Sequence, residues 1–253
     1  MNLETVQTQL KALKLRTAST ELEQIVLKHK KAVSLNWISD LLEREIDSRK
    51  EKAIKSRIQK AEFPEITTLE AFDWQFNPKI NRDKIEELAC LEFIRKNQIA
   101  LFLGRPGTGK THLALAIGVL AAKAGYRVYC TSIKKLARDI MVAKLKHSLD
   151  CLFKKILSSQ LWLIDDWGVI TMSRDISEEI FDLFDRRKQS SALILTSNRD
   201  IDEWNEVFPD PVLANATIDR IFDRADITVF QGESYRLKGR IEIDKFDKNE
   251  MKD

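Results

Sequence analysis

Eight consecutive residues, GRPGTGKT (Gly104–Thr111), constrain this chain more than any other stretch. They fit the pattern G-x-x-x-x-G-K-[ST]. The apolar run IALFLG (99–104) leads into them, and the alanine-rich HLALAIGVLAAKAG (112–125) follows. A buried strand turning at a glycine directly into a helix is the setting this pattern requires. Its glycines let backbone N–H groups converge on an anion with no Cβ in the way, and the helix start adds the positive end of its dipole. We therefore read Gly104, Arg105, Pro106, Gly107, Thr108, Gly109, Lys110, Thr111 and the adjoining His112 as a segment that wraps nucleotide phosphates. Lys110 is expected to reach the β- and γ-phosphates, and Thr111 to ligate Mg²⁺.

Downstream, strand-like and helix-like segments alternate. YRVYCT (126–131), LWLIDD (161–166) and SALILTSN (191–198) read as further buried strands, with helical stretches at 133–157 and 176–189 between them. Such alternation implies an α/β fold, a parallel sheet covered by helices on both faces. LWLIDD sets two acids at a strand end, 55 residues after Lys110. Asp165 is expected to hold Mg²⁺ directly or through water, and Asp166 to face the water that attacks the γ-phosphate. Asn198 closes the next strand, placed to hydrogen-bond that water or the γ-phosphate. TIDRIFDRAD (217–226) reads as one helix carrying Arg220 and Arg224 four residues apart on one face. Either arginine could complete a neighbouring subunit's site, or simply pair with Asp219, Asp223 and Asp226.

The first 62 residues have a different character. They hold 13 Lys+Arg against 9 Asp+Glu, whereas the remainder holds 29 against 30. Residues 1–60 have neither Gly nor Pro, and their apolar residues recur at helical spacing. We read 1–62 as a small helical domain, 63–81 as a linker and 82–253 as the nucleotide-binding core. The linker aromatics at 72, 74 and 76 either pack on the core or flank a base. Arg49, Lys50, Lys52, Lys55, Arg57 and Lys60 on the second long helix form either a solvated face or a nucleic-acid contact. Three cysteines, Cys90, Cys130 and Cys151, fit no zinc or CxxC spacing and read as buried free thiols in a reducing compartment. No apolar run approaches the roughly 18–20 residues of a membrane span, so the expected location is the cytoplasm.

The segments GRPGTGKTHLALAIG, LWLIDDWG, LTSN, IDEWNEVF, TIDRIFDRAD and GESYRLKGR occur in the order found in the IstB/DnaC group of AAA+ proteins, and LLEREIDSRKEKAIKSRIQKAEFP resembles IstB in particular. The resemblance implies an AAA+ ATPase with ATP and Mg²⁺ as cofactors. It also implies a homo-oligomer with ATP at subunit interfaces, and duplex DNA and a transposase of the IstA type as partners. It gives Lys110, Thr111 and Asp165 the nucleotide and metal roles, and Asn198 the first-sensor role. Arg220 becomes the trans-acting finger and Arg236, in GESYR, a second-sensor arginine. A DnaC-like helicase loader and, from another class, a small-molecule P-loop kinase are the alternatives. About 29 residues follow Arg224, so a helical lid is expected to be minimal or absent. The chain departs from the common Asp-Glu pair by having Asp165-Asp166. The shorter side chain sets its carboxylate about 1–1.5 Å back, and displacements of that order cost about 100-fold in rate, so slow hydrolysis is expected.

Overall fold

A computed structural model describes residues 3–28, 36–187 and 190–238. The chain forms two compact units, Met1–Ser56 and Arg57–Asp253. In the first, α1 (Leu3–Ala12), α2 (Arg16–Lys28) and the opening turns of α3 (Asn36–Ala61) close a small core of Val6, Leu10, Leu13 and Leu42. One polar tie is buried there: Ser39 Oγ donates to Gln9 Oε1 at 2.9 Å. The division falls inside α3, ahead of the boundary expected at residue 62. The last turns of that helix belong to the second unit because Ile58, Ala61 and the following Phe63 bury apolar surface on its core.

The second unit is built on β1 (Ile99–Gly104), β2 (Val128–Ser132), β3 (Leu161–Trp167), β4 (Ala192–Ser197) and β5 (Ala225–Phe230). The order is β2-β3-β4-β1-β5, and every pairing is parallel. Successive side chains of a strand point to opposite faces, and both faces here are apolar. Ile99, Leu101 and Leu103 face one core with Leu193, Leu195 and Trp162. Ala100 and Phe102 face the other with Ile194 and Leu163. The second face is covered by α4 (Arg82–Ala89), the short α5 (Glu92–Arg95) and α6 (Lys110–Lys123). The first is covered by α7 (Ile133–Leu145), α8 (Leu149–Leu157), α9 (Arg174–Arg187) and α10 (Pro211–Phe222). Helix α6 contributes Leu113, Ala114, Ile117 and Ala121; its small residues let it lie close against the strands.

Of the three free cysteines only Cys130 is buried as expected; Cys90 and Cys151 are exposed. Three elements also differ from the sequence reading. The helical stretch 133–157 is two helices, broken where His147 takes a left-handed φ of 51°. Helix α10 stops at Phe222, so Arg220 and Arg224 do not share a helix face. Arg224 sits in a left-handed turn (φ 60°), and ADITVF then forms β5, a strand the sequence reading did not include. Its pairing with β1 satisfies that strand's outer edge, an energetic demand invisible to local helix periodicity. Among the described residues β5 is followed only by a 3-10 turn, Tyr235–Leu237. The lid expectation for residues beyond 238 lies outside the described residues.

Candidate functional site

In a parallel sheet with helices on both faces, ligands sit at the carboxyl ends of the strands. A cavity of about 490 Å³ lies there, where β1, β3 and β4 end. The strand-to-helix segment forms one wall with Pro106, Gly107, Gly109, Lys110, Thr111 and His112. Asp165, Asp166 and Asn198 form another, and Arg236 and Tyr235 close the cavity from the C-terminal segment.

The glycines are there for geometric reasons. Gly109 has φ 103° and its absent Cβ would lie 2.5 Å from the Phe72 ring. A Cβ on Gly107 would lie 2.0 Å from Ser234 Oγ, and the Gly107 carbonyl accepts from Tyr235 N at 2.9 Å. The loop is thus clasped from both sides. Asn77, itself buried, binds both backbone groups of Glu233 at 3.1 Å and donates to Thr108 O at 3.4 Å. Thr67 Oγ1 donates to His112 O, and the His112 ring contacts Thr68 O.

Lys110 is buried, and its ammonium donates to the loop's own carbonyls, Gly104 O at 2.7 Å and Arg105 O at 2.8 Å. Burial lowers its pKa to about 8, opposed by the negative charges of Asp165 and Asp166. Thr111 Oγ1 donates to Asp165 Oδ1 at 2.8 Å. Burial pushes the Asp166 carboxyl above the ordinary aspartate range, and neighbouring Asp165 pushes it further. Asn198 Nδ2 donates to Asp166 Oδ1 at 3.2 Å, a direct contact the sequence reading did not include.

The two aspartates sit at an irregularity. Ile164 pairs with Leu195 and Trp167 with Ser197, so Asp165 and Asp166 together oppose the single residue Thr196. This is a β-bulge, a device that re-aims side chains at strand ends. Asp166 accommodates it with a left-handed φ of 58°. The Thr196 hydroxyl joins the two acids: it donates to Asp165 Oδ1 at 2.5 Å and accepts from Asp166 N at 3.1 Å. Sequence reasoning passed over Thr196, since a hydroxyl inside an apolar strand carries no periodicity signal.

Other positions fall apart from the cavity. Arg105 turns away and lines a neighbouring recess with Asn198 and Asp200. Gly104 and Thr108 shape the loop without lining the cavity; Thr108 Oγ1 donates back to Arg105 O at 2.9 Å. Arg220 is held by Asp185 at 3.1 Å and Asp219 at 2.9 Å and does not reach its own chain's cavity. On α3, Arg49 binds Glu45 and Leu13 O, Lys50 pairs with Asp47, and Arg57 donates to Ala122 O; Lys52, Lys55 and Lys60 are exposed. Glu65 and Val169 line the cavity, and neither was singled out in the sequence. Of the linker aromatics, Phe72 and Trp74 pack against the core, one of the two alternatives open to them. Phe72 and Phe76 also line an apolar recess of about 150 Å³ beside Gly109, His112 and Tyr235.

These features fit a nucleoside triphosphate with magnesium. A buried ammonium satisfied only by loop carbonyls exchanges them readily for phosphate oxygens. The hard oxygens of Thr111 and Asp165 suit Mg²⁺, which keeps several waters and takes the rest of its shell from phosphates. No cluster of three or more His, Cys, Asp or Glu side chains among the described residues forms an all-protein metal cage. No described helix is long and apolar enough to cross a membrane.

Comparison with known proteins agrees. The family described as IstB-like ATP binding protein matches residues 8–243. An insertion sequence IS21 putative ATP-binding protein of Pseudomonas aeruginosa is 36% identical over 82% of this chain and 78% of its own length. An IS232 putative ATP-binding protein of Bacillus thuringiensis is 35% identical over 77% and 78%. Among solved structures, AMPPCP-bound DnaA of Aquifex aeolicus superposes with TM-score 0.54 at 23% identity, over 70% of this chain and 53% of that one. The DnaC helicase loader does so with TM-score 0.51 at 22% identity, over 58% and 86%. At such identities these two similarities bear on fold alone: this is the AAA+ P-loop architecture.

Proposed function

Because the chain belongs to the IstB-like ATP-binding protein family, we propose that it is an ATP-dependent helper of DNA transposition, which assembles on duplex DNA with ATP and stimulates a partner transposase. The observation that carries this reading is the convergence of Lys110, Thr111, Asp165, Asp166, Asn198 and Arg236 on one cavity.

Mg-ATP, when bound, would supply the phosphoanhydride bond and a divalent charge. The chain does the rest. Lys110 exchanges the Gly104 and Arg105 carbonyls for the β- and γ-phosphates. Thr111 can donate its hydrogen bond to Asp165, as it does here, and would still offer a lone pair to the metal. The recess of Phe72, Phe76 and Tyr235 receives the base. Asp166, its pKa raised by burial, is suited to take a proton from the attacking water, with Asn198 fixing its carboxylate. Arg236 neutralises phosphate charge from the C-terminal side. Arg220 acts on a neighbouring subunit's nucleotide, so each site is completed only in an oligomer. ATP then favours assembly by mass action. Repetition of exposed cations along the assembly turns weak individual phosphate contacts into avid, salt-sensitive DNA binding.

The test is Lys110→Ala. The unsubstituted protein is expected to form oligomers on duplex DNA only with ATP or a non-hydrolysable analogue, and the variant is expected to lose both nucleotide binding and assembly. Sedimentation or electron microscopy showing equal assembly by the two proteins would overturn the reading.

A further inference from the structure

A separate cavity of about 360 Å³ opens beside the first residues of β2 and β3, at the opposite ends of those strands from Asp165. Its floor is buried: Val128, Tyr129 and Ser159. Its rim carries four cations, Arg57, Lys60, Arg127 and Lys155, and one carboxylate, Glu62. Glu62 is already engaged. It accepts from Lys155 at 2.5 Å and from Lys135 on α7, and those two ammonium groups hold its carboxyl below the usual glutamate range. Arg57, Lys60 and Arg127 therefore face the cavity without a carboxylate partner among the described residues.

The two arginines are also fixed in place. Arg57 Nε donates to Ala122 O at 2.8 Å, at the end of α6, and Arg127 Nε donates to Ser158 O at 2.7 Å, at the end of α8. Helix C-termini carry partial negative charge and hold cations well. A guanidinium held by its Nε keeps its terminal nitrogens for a second partner, and its planar fork matches two phosphate oxygens at once. Lys155 lies over the Tyr129 ring, 5.7 Å from its centroid, at the same rim.

We propose that this cavity is where the nucleotide-binding unit grips the phosphodiester backbone of DNA, using Arg57, Lys60 and Arg127. The proposal rests on the DNA-binding reading above and deepens it. It adds Arg127, which lies outside the basic helix, and moves the contact of Arg57 and Lys60 from a solvated helix face to a built recess. The rim groups left without a carboxylate partner, Arg57, Lys60 and Arg127, seek phosphate rather than base edges, so the contact is indifferent to base sequence.

The experiment uses the full chain with a non-hydrolysable ATP analogue and two duplexes of unrelated sequence. Affinity is followed against salt for the unsubstituted protein, Lys60→Ala, Arg127→Ala and their double variant. Each lost phosphate contact is expected to lower the slope of log affinity against log salt by about 0.9, equally on both duplexes, with nucleotide affinity unchanged. Arg57 and Arg127 also hold helix ends, so Lys60→Ala, at an exposed position, keeps the test sound should Arg127→Ala fold poorly. An unchanged slope in the Lys60 and Arg127 variants overturns the proposal and leaves the parent reading standing. Loss of inorganic phosphate binding with the duplex slope intact would assign the cavity to a free anion and overturn it as well. An unsubstituted protein that binds neither duplex sinks both readings.

Discussion

Replacing Thr196 by valine removes one hydroxyl and almost no volume. That hydroxyl is buried, donates to Asp165 and is the acceptor for the Asp166 N–H left over by the bulge. If the backbone stays where it is, a half-buried donor loses its partner, at a cost of up to about 2 kcal/mol. For a unit of this size, about 2 kcal/mol corresponds to a melting temperature lower by roughly 4–8 °C. If instead the bulge relaxes to find another acceptor, the Asp166 carboxylate moves with it. A displacement of about 1 Å at a reacting centre costs about 100-fold in rate. Either way the metal-side carboxylate loses one of the two hydroxyls that fix its rotamer. We therefore expect Thr196→Val to lower ATP turnover by about 10–100-fold and to raise the Mg²⁺ concentration giving half-maximal rate. Nucleotide binding measured without Mg²⁺ should be nearly unchanged. Thr196→Ser, which keeps the hydroxyl, should restore most of the turnover, a recovery that a loss of packing alone would not allow. The assay is steady-state hydrolysis across a Mg²⁺ titration, with melting curves as the stability control. Wild-type turnover and Mg²⁺ dependence in the valine variant would refute the reasoning.

Three further expectations follow from the same site. Lys110 titrates at about 8 with no phosphate beside it, and a bound triphosphate favours its charged form. Affinity for ATP should be full below that pH and fall by up to tenfold per pH unit above it; calorimetry from pH 7 to 9.5 showing constant affinity would contradict this. Asp166→Glu should hydrolyse ATP faster than the unsubstituted protein, because it returns the carboxylate about 1–1.5 Å toward the phosphate, and a faster unsubstituted protein would end that explanation. Arg220→Ala and Lys110→Ala should each be inactive alone yet regain turnover when mixed, since one subunit's intact arginine then meets the other's intact loop. No recovery on mixing would remove Arg220 from a role between subunits.

Family resemblance and local chemistry made much of this site legible early. GRPGTGKT between an apolar strand and an alanine-rich helix pointed to the loop that walls the strand-end cavity, because only glycines permit that backbone path and only a strand-to-helix turn aims it. The DD at the end of β3 and the Asn at the end of β4 were equally readable, since both strands are continuous apolar runs that end abruptly in polar residues. Tertiary structure decided what depends on partners distant in sequence. β5 exists because β1 needs a neighbour on its outer edge, while its own residues alternate between exposed and buried and follow a helix without any glycine signal. Thr196 matters only because a bulge sets two aspartates opposite it. Asn77 matters only because residues 31 and 156 positions away meet at its side chain. Local sequence encodes backbone preference and the order of polar and apolar groups; which hydrogen bonds remain to be made, and by whom, is fixed only when the strands come together.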